Sequence, residues 1–258
     1  MAQLSSRAAA LFKPADPAAP RSSREESARE CLAQAGCPPF LAYVDYLATF
    51  AGGTFVFHGD PQFEEVRFPG PQDEFLLSRF GDRKVHDPDW LRRCRPDMLP
   101  GGRDPDDWDL HVGPLGSAQL DGSMWPDGSV RFYHGAFSWS RPVARSLGAY
   151  QEAEAAVVDG VRRGYSSAWA ATPDPDAAVG LARTWGLGAD PVADAPPCRC
   201  WAEPGRRAIA RPAAFDHPGL FDWTVIEAVW DPESHSTVEV VSAFNRLDTP
   251  IPVPPDFR

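Results

Sequence analysis

The stretch from Ser22 to His58 sets the narrowest limits on this chain, because two helix patterns, a double glycine and an aromatic strand follow one another there with almost nothing between them. Ser23 stands three residues before Glu26, the spacing at which an N-cap hydroxyl and an N3 carboxylate satisfy each other's free backbone donors, so a helix is predicted to begin there. Ala28, Cys31, Leu32 and Ala35 then fall at i, i+3, i+4 and i+7, and Gly36 tolerates the left-handed backbone of a helix C-terminus. A second helix is predicted from Pro38-Pro39, where a ring-fixed φ suits the first turn. It carries Phe40, Tyr43, Val44, Leu47 and Phe50 and stops at Gly52-Gly53, after which Thr54-Phe55-Val56-Phe57 reads as a strand.

Beyond this opening, turns alternate with short strands. Pro69-Gly70-Pro71 and Pro100-Gly101-Gly102 punctuate the middle, with a short helix predicted around Phe75 to Phe80. Asp127-Gly128, between Met124-Trp125 and Val130 to Tyr133, has the chemistry of a two-residue hairpin turn. Leu147 to Val158 reads as a helix, although Gly148 lowers its propensity by about 1 kcal/mol relative to Ala. Asp176 to Trp185 reads as another, ended by Gly186, and Ala189 to Pro197 as an extended linker. A final β unit is predicted from Arg207 to Ala210, Trp223 to Trp230 and Ser236 to Phe244, the last two joined by Asp231-Pro232-Glu233-Ser234-His235. Residues 1–21, rich in Ala, Ser and Pro without a periodic stripe, read as a flexible tail.

Apolar residues make up 43% of the 258, with nine Trp and fifteen Phe, which is ample for a packed core. No apolar run approaches the roughly 18 residues of a membrane span, and no secretory leader pattern occurs, so the expected location is cytoplasmic. Five irregularly spaced cysteines, Cys31, Cys37, Cys94, Cys198 and Cys200, agree with reduced thiols rather than a disulfide framework.

Pro38-Pro39-Phe40-Leu41 with Tyr43, Tyr46 and Leu47, followed by Phe50-Ala51-Gly52-Gly53 and a strand, resembles the opening of the SUKH superfamily, which includes Smi/Knr-like proteins and bacterial toxin-immunity proteins. That family's pattern usually continues with an Asp-Gly turn between short strands and closes with a helix introduced by an Ala-Ser-Leu-like phrase. Here the counterparts are Trp125-Pro126-Asp127-Gly128-Ser129-Val130 and Pro142-Val143-Ala144-Arg145-Ser146-Leu147, running into Tyr150-Gln151-Glu152. The resemblance spans Ser22 to Arg163; the long Asp-Pro-rich insert before Trp125 departs from it. It implies an α+β fold over residues 22–163, a mixed or antiparallel sheet flanked by helices. Residues 164–258 would then form a β-rich C-terminal α+β extension packed on that domain. It also implies a protein without catalytic activity that neutralises a cognate toxin, often a nuclease or nucleic-acid deaminase.

The charge balance points the same way. A formal charge of −11 opposes binding to nucleic acid through its phosphates. From 212 to 245 there is no Lys or Arg, while Asp216, Asp222, Glu227, Asp231, Glu233 and Glu239 all fall there. A second cluster, Asp104, Asp106, Asp107 and Asp109, surrounds Trp108. Such clusters are commonly solvated surface, and equally a contact face for a basic partner, with Trp108 as an apolar anchor. The residues assigned to partner binding are therefore Asp104, Asp106, Asp107, Trp108, Asp109, Asp231 and Glu233.

Catalytic patterns are scarce. The six His are not spaced as helical metal ligands, and Cys198-Arg199-Cys200 lacks the second pair of a tetrahedral zinc site; on a strand its two thiols would face the same way as small buried hydrophobes. Neither a nucleophile elbow nor a phosphate-binding glycine loop occurs, and no metal or cofactor is expected. Cys94, flanked by Arg92, Arg93 and Arg95, is the thiol whose neighbours favour reactivity, although it lacks an identified base. The alternative function is a small hydrolase or transferase assembled from dispersed residues, with His58, His86 and Asp87 as its members.

Overall fold

The computed structural model describes residues 4–58, 63–74, 76–79, 108–115, 121–134, 139–174, 176–194, 196–212, 224–244 and 251–252. The architecture is α+β, with helices set beside antiparallel sheets, as the sequence predicts. Among the described residues no helix is long and apolar enough to cross a membrane.

Apart from Met1, the chain divides into one unit of Leu11–Val56 and Glu65–Pro142 and another of Ala2–Ala10, Phe57–Glu64 and Val143–Arg258. Residues 147–162, of which 147–158 are expected to be helical, lie in the second of these units.

In the first unit, α2 (Arg21–Gln34) and α3 (Leu41–Thr49) form the expected helical pair. Helix α2 begins before the Ser23/Glu26 capping box, on Pro20, with no side-chain cap. Its start is held by tertiary contact: Arg21 bonds Glu25 at 2.8 Å, Thr49 at 3.2 Å and Asp45 at 2.5 Å, the last two on α3. Its end is a Schellman motif, with Gly36 at φ 70°, Gly36 N–H on the Ala33 carbonyl and Cys37 N–H on that of Leu32. Helix α3 starts at Leu41 rather than at the proline pair, with Phe40 at its N-cap in extended backbone (φ −54°, ψ 134°).

Helix α3 turns Tyr43 and Tyr46 inward. The Tyr46 hydroxyl donates to the Pro69 carbonyl at 2.9 Å, and the Tyr43 hydroxyl lies 2.9 Å from the carbonyl of Trp108 and 3.1 Å from that of Met124. Phe12, Tyr46, Phe50 and Phe68 close an aromatic cluster with ring centroids 5.4 to 6.5 Å apart. Phe12 belongs to β1 (Phe12–Lys13), which pairs antiparallel with β2 (Thr54–His58), and β3 (Phe63–Arg67) completes that sheet. The segment expected to be a flexible tail is therefore built into the fold. Helix α1 (Ser6–Ala9) is capped by the Ser5 hydroxyl, and Ala8 and Leu11 are buried. Ala8, Leu11 and Phe12 lie in an Ala-, Ser- and Pro-rich stretch without a periodic stripe, and Phe12 finds its partners in Phe50, Phe55 and Phe68, far along the chain.

A five-stranded sheet contains, in order, β4 (Leu77–Arg79), β5 (Trp108–Pro114), β6 (Asp121–Met124), β7 (Val130–His134) and β8 (Trp139–Ala144). Residues 77–79, expected to be helical, are thus a strand paired with β5, Leu77 opposite Leu110. The β6–β7 connection is the expected Asp-Gly hairpin with a longer loop. Gly128 N–H bonds the Trp125 carbonyl, Trp125 N–H bonds the Ser129 carbonyl, and Gly128 takes φ 89°. That is a Pro-Asp turn followed by a left-handed glycine, in which the Asp127 carboxylate accepts from both the N–H and the hydroxyl of Ser129.

In the second unit the six-stranded sheet runs β10 (Gly188–Ala189), β11 (Arg199–Glu203), β12 (Arg206–Pro212), β13 (Thr224–Trp230), β9 (Ser166–Thr172) and β14 (Ile251–Pro252), every neighbouring pair antiparallel. Strand alternation sorts its two faces. Ala208, Ala210, Ile226, Ala228 and Trp230 pack with Ala178, Leu181 and Ala182 of α5 (Ala177–Thr184). Cys200, Ile209 and Val229 pack with Ala156 and Val157 of α4 (Leu147–Arg162). Ser146 caps α4, its hydroxyl accepting from Ala149 N–H. Residues 237–244, expected to be a strand, form the helix α6 (Thr237–Phe244), with Ser236 and Glu239 as a capping box: Val238 N–H donates to the Ser236 hydroxyl at 3.2 Å, and Ser236 N–H to the Glu239 carboxylate at 3.4 Å.

Candidate functional site

The partner-binding residues expected from sequence fall into three groups. Asp104, Asp106 and Asp107 lie outside the described residues. Trp108 and Asp109 open β5, and here the expectation needs correction. Asp109 is only 2 % exposed, so its carboxylate faces the interior rather than a partner, while Trp108 is half-buried. Side chains on a strand inside a five-stranded sheet alternate between its two faces, and the covered face takes Asp109 whatever its charge.

The third group is brought together. Asp231 and Glu233 lie in the turn from β13 into α6. Asp231 is half-buried and shapes that turn: its carboxylate accepts from Glu233 N–H at 3.0 Å and from the Ser234 hydroxyl at 2.8 Å, and its own N–H donates to the Gly205 carbonyl at 2.8 Å. Its negative charge is thereby held in place beside Glu233, which is exposed. Six residues on, Glu239 stands exposed in the first turn of α6, next to Val238, which at 73 % exposure is among the most exposed large apolar side chains of the described residues. Glu239 was not among the expected partner residues. The Ser236-x-x-Glu239 spacing would have revealed it, since a capping box fixes a carboxylate at the mouth of a helix.

Glu227, counted in the same acidic run, is removed from that surface. It joins a buried charge cluster of the second unit, where Arg211 pairs with Glu154 of α4 and, at 2.8 Å, with Glu227 of β13. Burial alone would lower the Arg211 pKa, but the two carboxylates outweigh it and hold the guanidinium charged. Beside them Tyr150 is pushed well above its ordinary value, by burial first and by Glu154 second. Cys198, whose thiol donates to the Val143 carbonyl at 2.7 Å, is pushed up to about 12 by burial, and burial pushes Cys200 up to about 12 as well. A cation locked between two carboxylates, a phenol kept neutral and thiols kept protonated anchor a helix to a sheet and supply no nucleophile at neutral pH. A second tie repeats the arrangement: Arg207 donates to the Asp159 carboxylate at 2.8 Å and to the Ala156 carbonyl at 2.6 Å.

Of the residues weighed for a hydrolase, His58 ends β2, and His86 and Asp87 lie outside the described residues, as does Cys94. Among the described residues no group of three His, Cys, Asp or Glu side chains converges to hold a metal ion. In comparison with known proteins, the chain matches no family model, no curated protein and no solved structure.

Proposed function

We propose that this chain is a binding protein without catalytic activity, an immunity protein of the SUKH kind. It would neutralise a cognate bacterial toxin, a nuclease or nucleic-acid deaminase, by laying an acidic surface over the toxin's basic active site. The observation that carries this reading is the exposed turn from Asp231 into α6. Glu233, Val238 and Glu239 are all exposed there, within a segment that has no Lys or Arg from 212 to 245. Carboxylates held by a turn and a capping box meet a partner with little ordering left to do, and a basic groove built for phosphates is the surface they complement. Val238 supplies the apolar centre such a contact needs. Asp104, Asp106, Asp107 and Trp108 belong to the same reading as a second acidic contribution.

Steering by opposite charge accelerates association and is screened by salt. The partner is therefore to be captured on this protein at low salt, released at high salt, identified by mass spectrometry and assayed for activity with and without the chain. With that partner, Glu233→Lys/Glu239→Lys is expected to slow association about tenfold at low salt, with the urea midpoint lowered by no more than the loss of the α6 capping box accounts for. An association rate insensitive to both substitutions, or a partner whose activity survives saturation with this chain, overturns the proposal.

A further inference from the structure

The N-terminal segment occupies a socket that has the properties of a peptide-binding site. Glu152, on α4, is 5 % exposed, and the donors on its carboxylate come from the start of the chain: Ser5 N–H at 2.6 Å and the Ser5 hydroxyl at 2.7 Å, with Arg7 3.9 Å away. Arg7 reaches on to Asp190, between β10 and β11, at 3.2 Å. Ala8, on the same short helix and buried, supplies the apolar part of the fit. The socket is held by groups other than its occupant. Glu152 sits in the middle of a 16-residue helix, and the other Asp190 oxygen accepts from the N–H groups of Val192 and Ala193, each at 2.9 Å. Asp190 N–H is tied to the Cys200 carbonyl at 2.8 Å.

The occupant is seated less completely than the socket. Arg7 Nε is buried without a hydrogen-bond partner, and α1 is a single four-residue turn, far too short to persist by itself. Two carboxylates on a rigid frame, neutralised by one arginine from a marginal helix, make a site that demands a cation and does not depend on which chain supplies it. We propose that the Glu152–Asp190 socket is a recognition site for a Ser-x-Arg-Ala segment, filled in this structure by the chain's own residues 5–8 and open to the same segment on another molecule when its own is released.

The test uses the full chain. Arg7→Glu sets a third carboxylate against Glu152 and Asp190 and so ejects the chain's own segment while leaving the socket intact. A fluorescent peptide of residues 4–13 should then bind the Arg7→Glu chain saturably, bind the wild-type chain at least tenfold more weakly, and lose its affinity for Arg7→Glu/Glu152→Gln. A folded Arg7→Glu chain that fails to bind the peptide, or binding that survives Glu152→Gln, overturns the proposal. If Arg7→Glu does not fold, hydrogen exchange of the wild-type chain decides: the Ser5, Ala9 and Ala10 amides should exchange at least tenfold faster than those in the centre of α4, with no dependence on low denaturant. Exchange of these amides only through global unfolding shows that the segment is an inseparable part of the core, and the proposal fails.

Discussion

At the scale of single residues, the same kind of charge does opposite things according to where the backbone sets it. Glu227 and Glu233 are six residues apart, yet the first is paired to Arg211 inside the second unit and the second stands in water. The Arg211 cluster is well shielded, with side-chain exposures of 17 % for Arg211, 3 % for Glu154 and 13 % for Glu227. Removing one member of a buried pair leaves its partner charged in a low dielectric, so Glu154→Ala is expected to cost about 3 kcal/mol of stability, read as a fall in the urea midpoint. The exposed pair Arg67–Asp73 is the control, with side chains 47 % and 36 % exposed. There Arg67→Ala is expected to change stability by less than about 1 kcal/mol. Equal effects of the two substitutions would show that the Arg211 cluster is not the anchor its geometry indicates.

The element scale turns on two capping boxes of identical chemistry. Ser23-x-x-Glu26 and Ser236-x-x-Glu239 look alike in sequence, but only the second caps a helix. In the first, Arg21 is gripped by Asp45 and Thr49, which carries the helix start past the serine and leaves Ser23 on an exposed face. In the second, Thr237-Val238 and Val240-Val241 alternate like a strand, and the cap prevails over β propensity because it satisfies donors at the mouth of the helix. Ser236→Ala is therefore expected to destabilise α6 by about 1 kcal/mol, giving roughly fivefold faster amide exchange across that helix, while Ser23→Ala leaves the exchange of α2 within twofold. Protection of α6 unchanged by Ser236→Ala would contradict the capping role.

For the whole molecule, the consequence of this arrangement is sensitivity to acid. Burial alone would raise the carboxyl pKa of both Asp159 and Asp190. For Asp159, Arg207 and then Arg163 outweigh burial; for Asp190, the N–H groups of Ala193 and Val192 and then Arg7 do so. Both carboxyls are held below the ordinary range. The unfolded chain therefore binds protons first, and the stability these groups contribute is complete above their unfolded values, near 4, and is lost as pH falls further through the folded values. The urea midpoint is expected to stay level from pH 7 to about pH 5 and to decline below about pH 4, with a shallower decline in Asp159→Asn/Asp190→Asn. An acid limb of the same slope in that variant would place the sensitivity elsewhere.

What could be read from the residues alone was whatever closes within a few positions along the chain. The α2–α3–β2 succession, the Gly36 C-terminus, the Asp127-Gly128 turn, helix α4 and the helix ended by Gly186 all rest on caps, turn residues and periodicity, which are local properties of the backbone. The paired burial of Cys198 and Cys200 followed from strand alternation in the same way. Tertiary structure decided the rest: that residues 77–79 pair with β5 instead of coiling, that Phe12 and Ala8 are core, that α4 belongs to the second unit, and that Asp109 and Glu227 point away from solvent while Glu239 points into it. Apart from Glu239, whose capping-box spacing is local, those outcomes depend on contacts between residues distant along the chain, and hydrophobic burial and charge pairing act through space, so the neighbouring sequence does not record them.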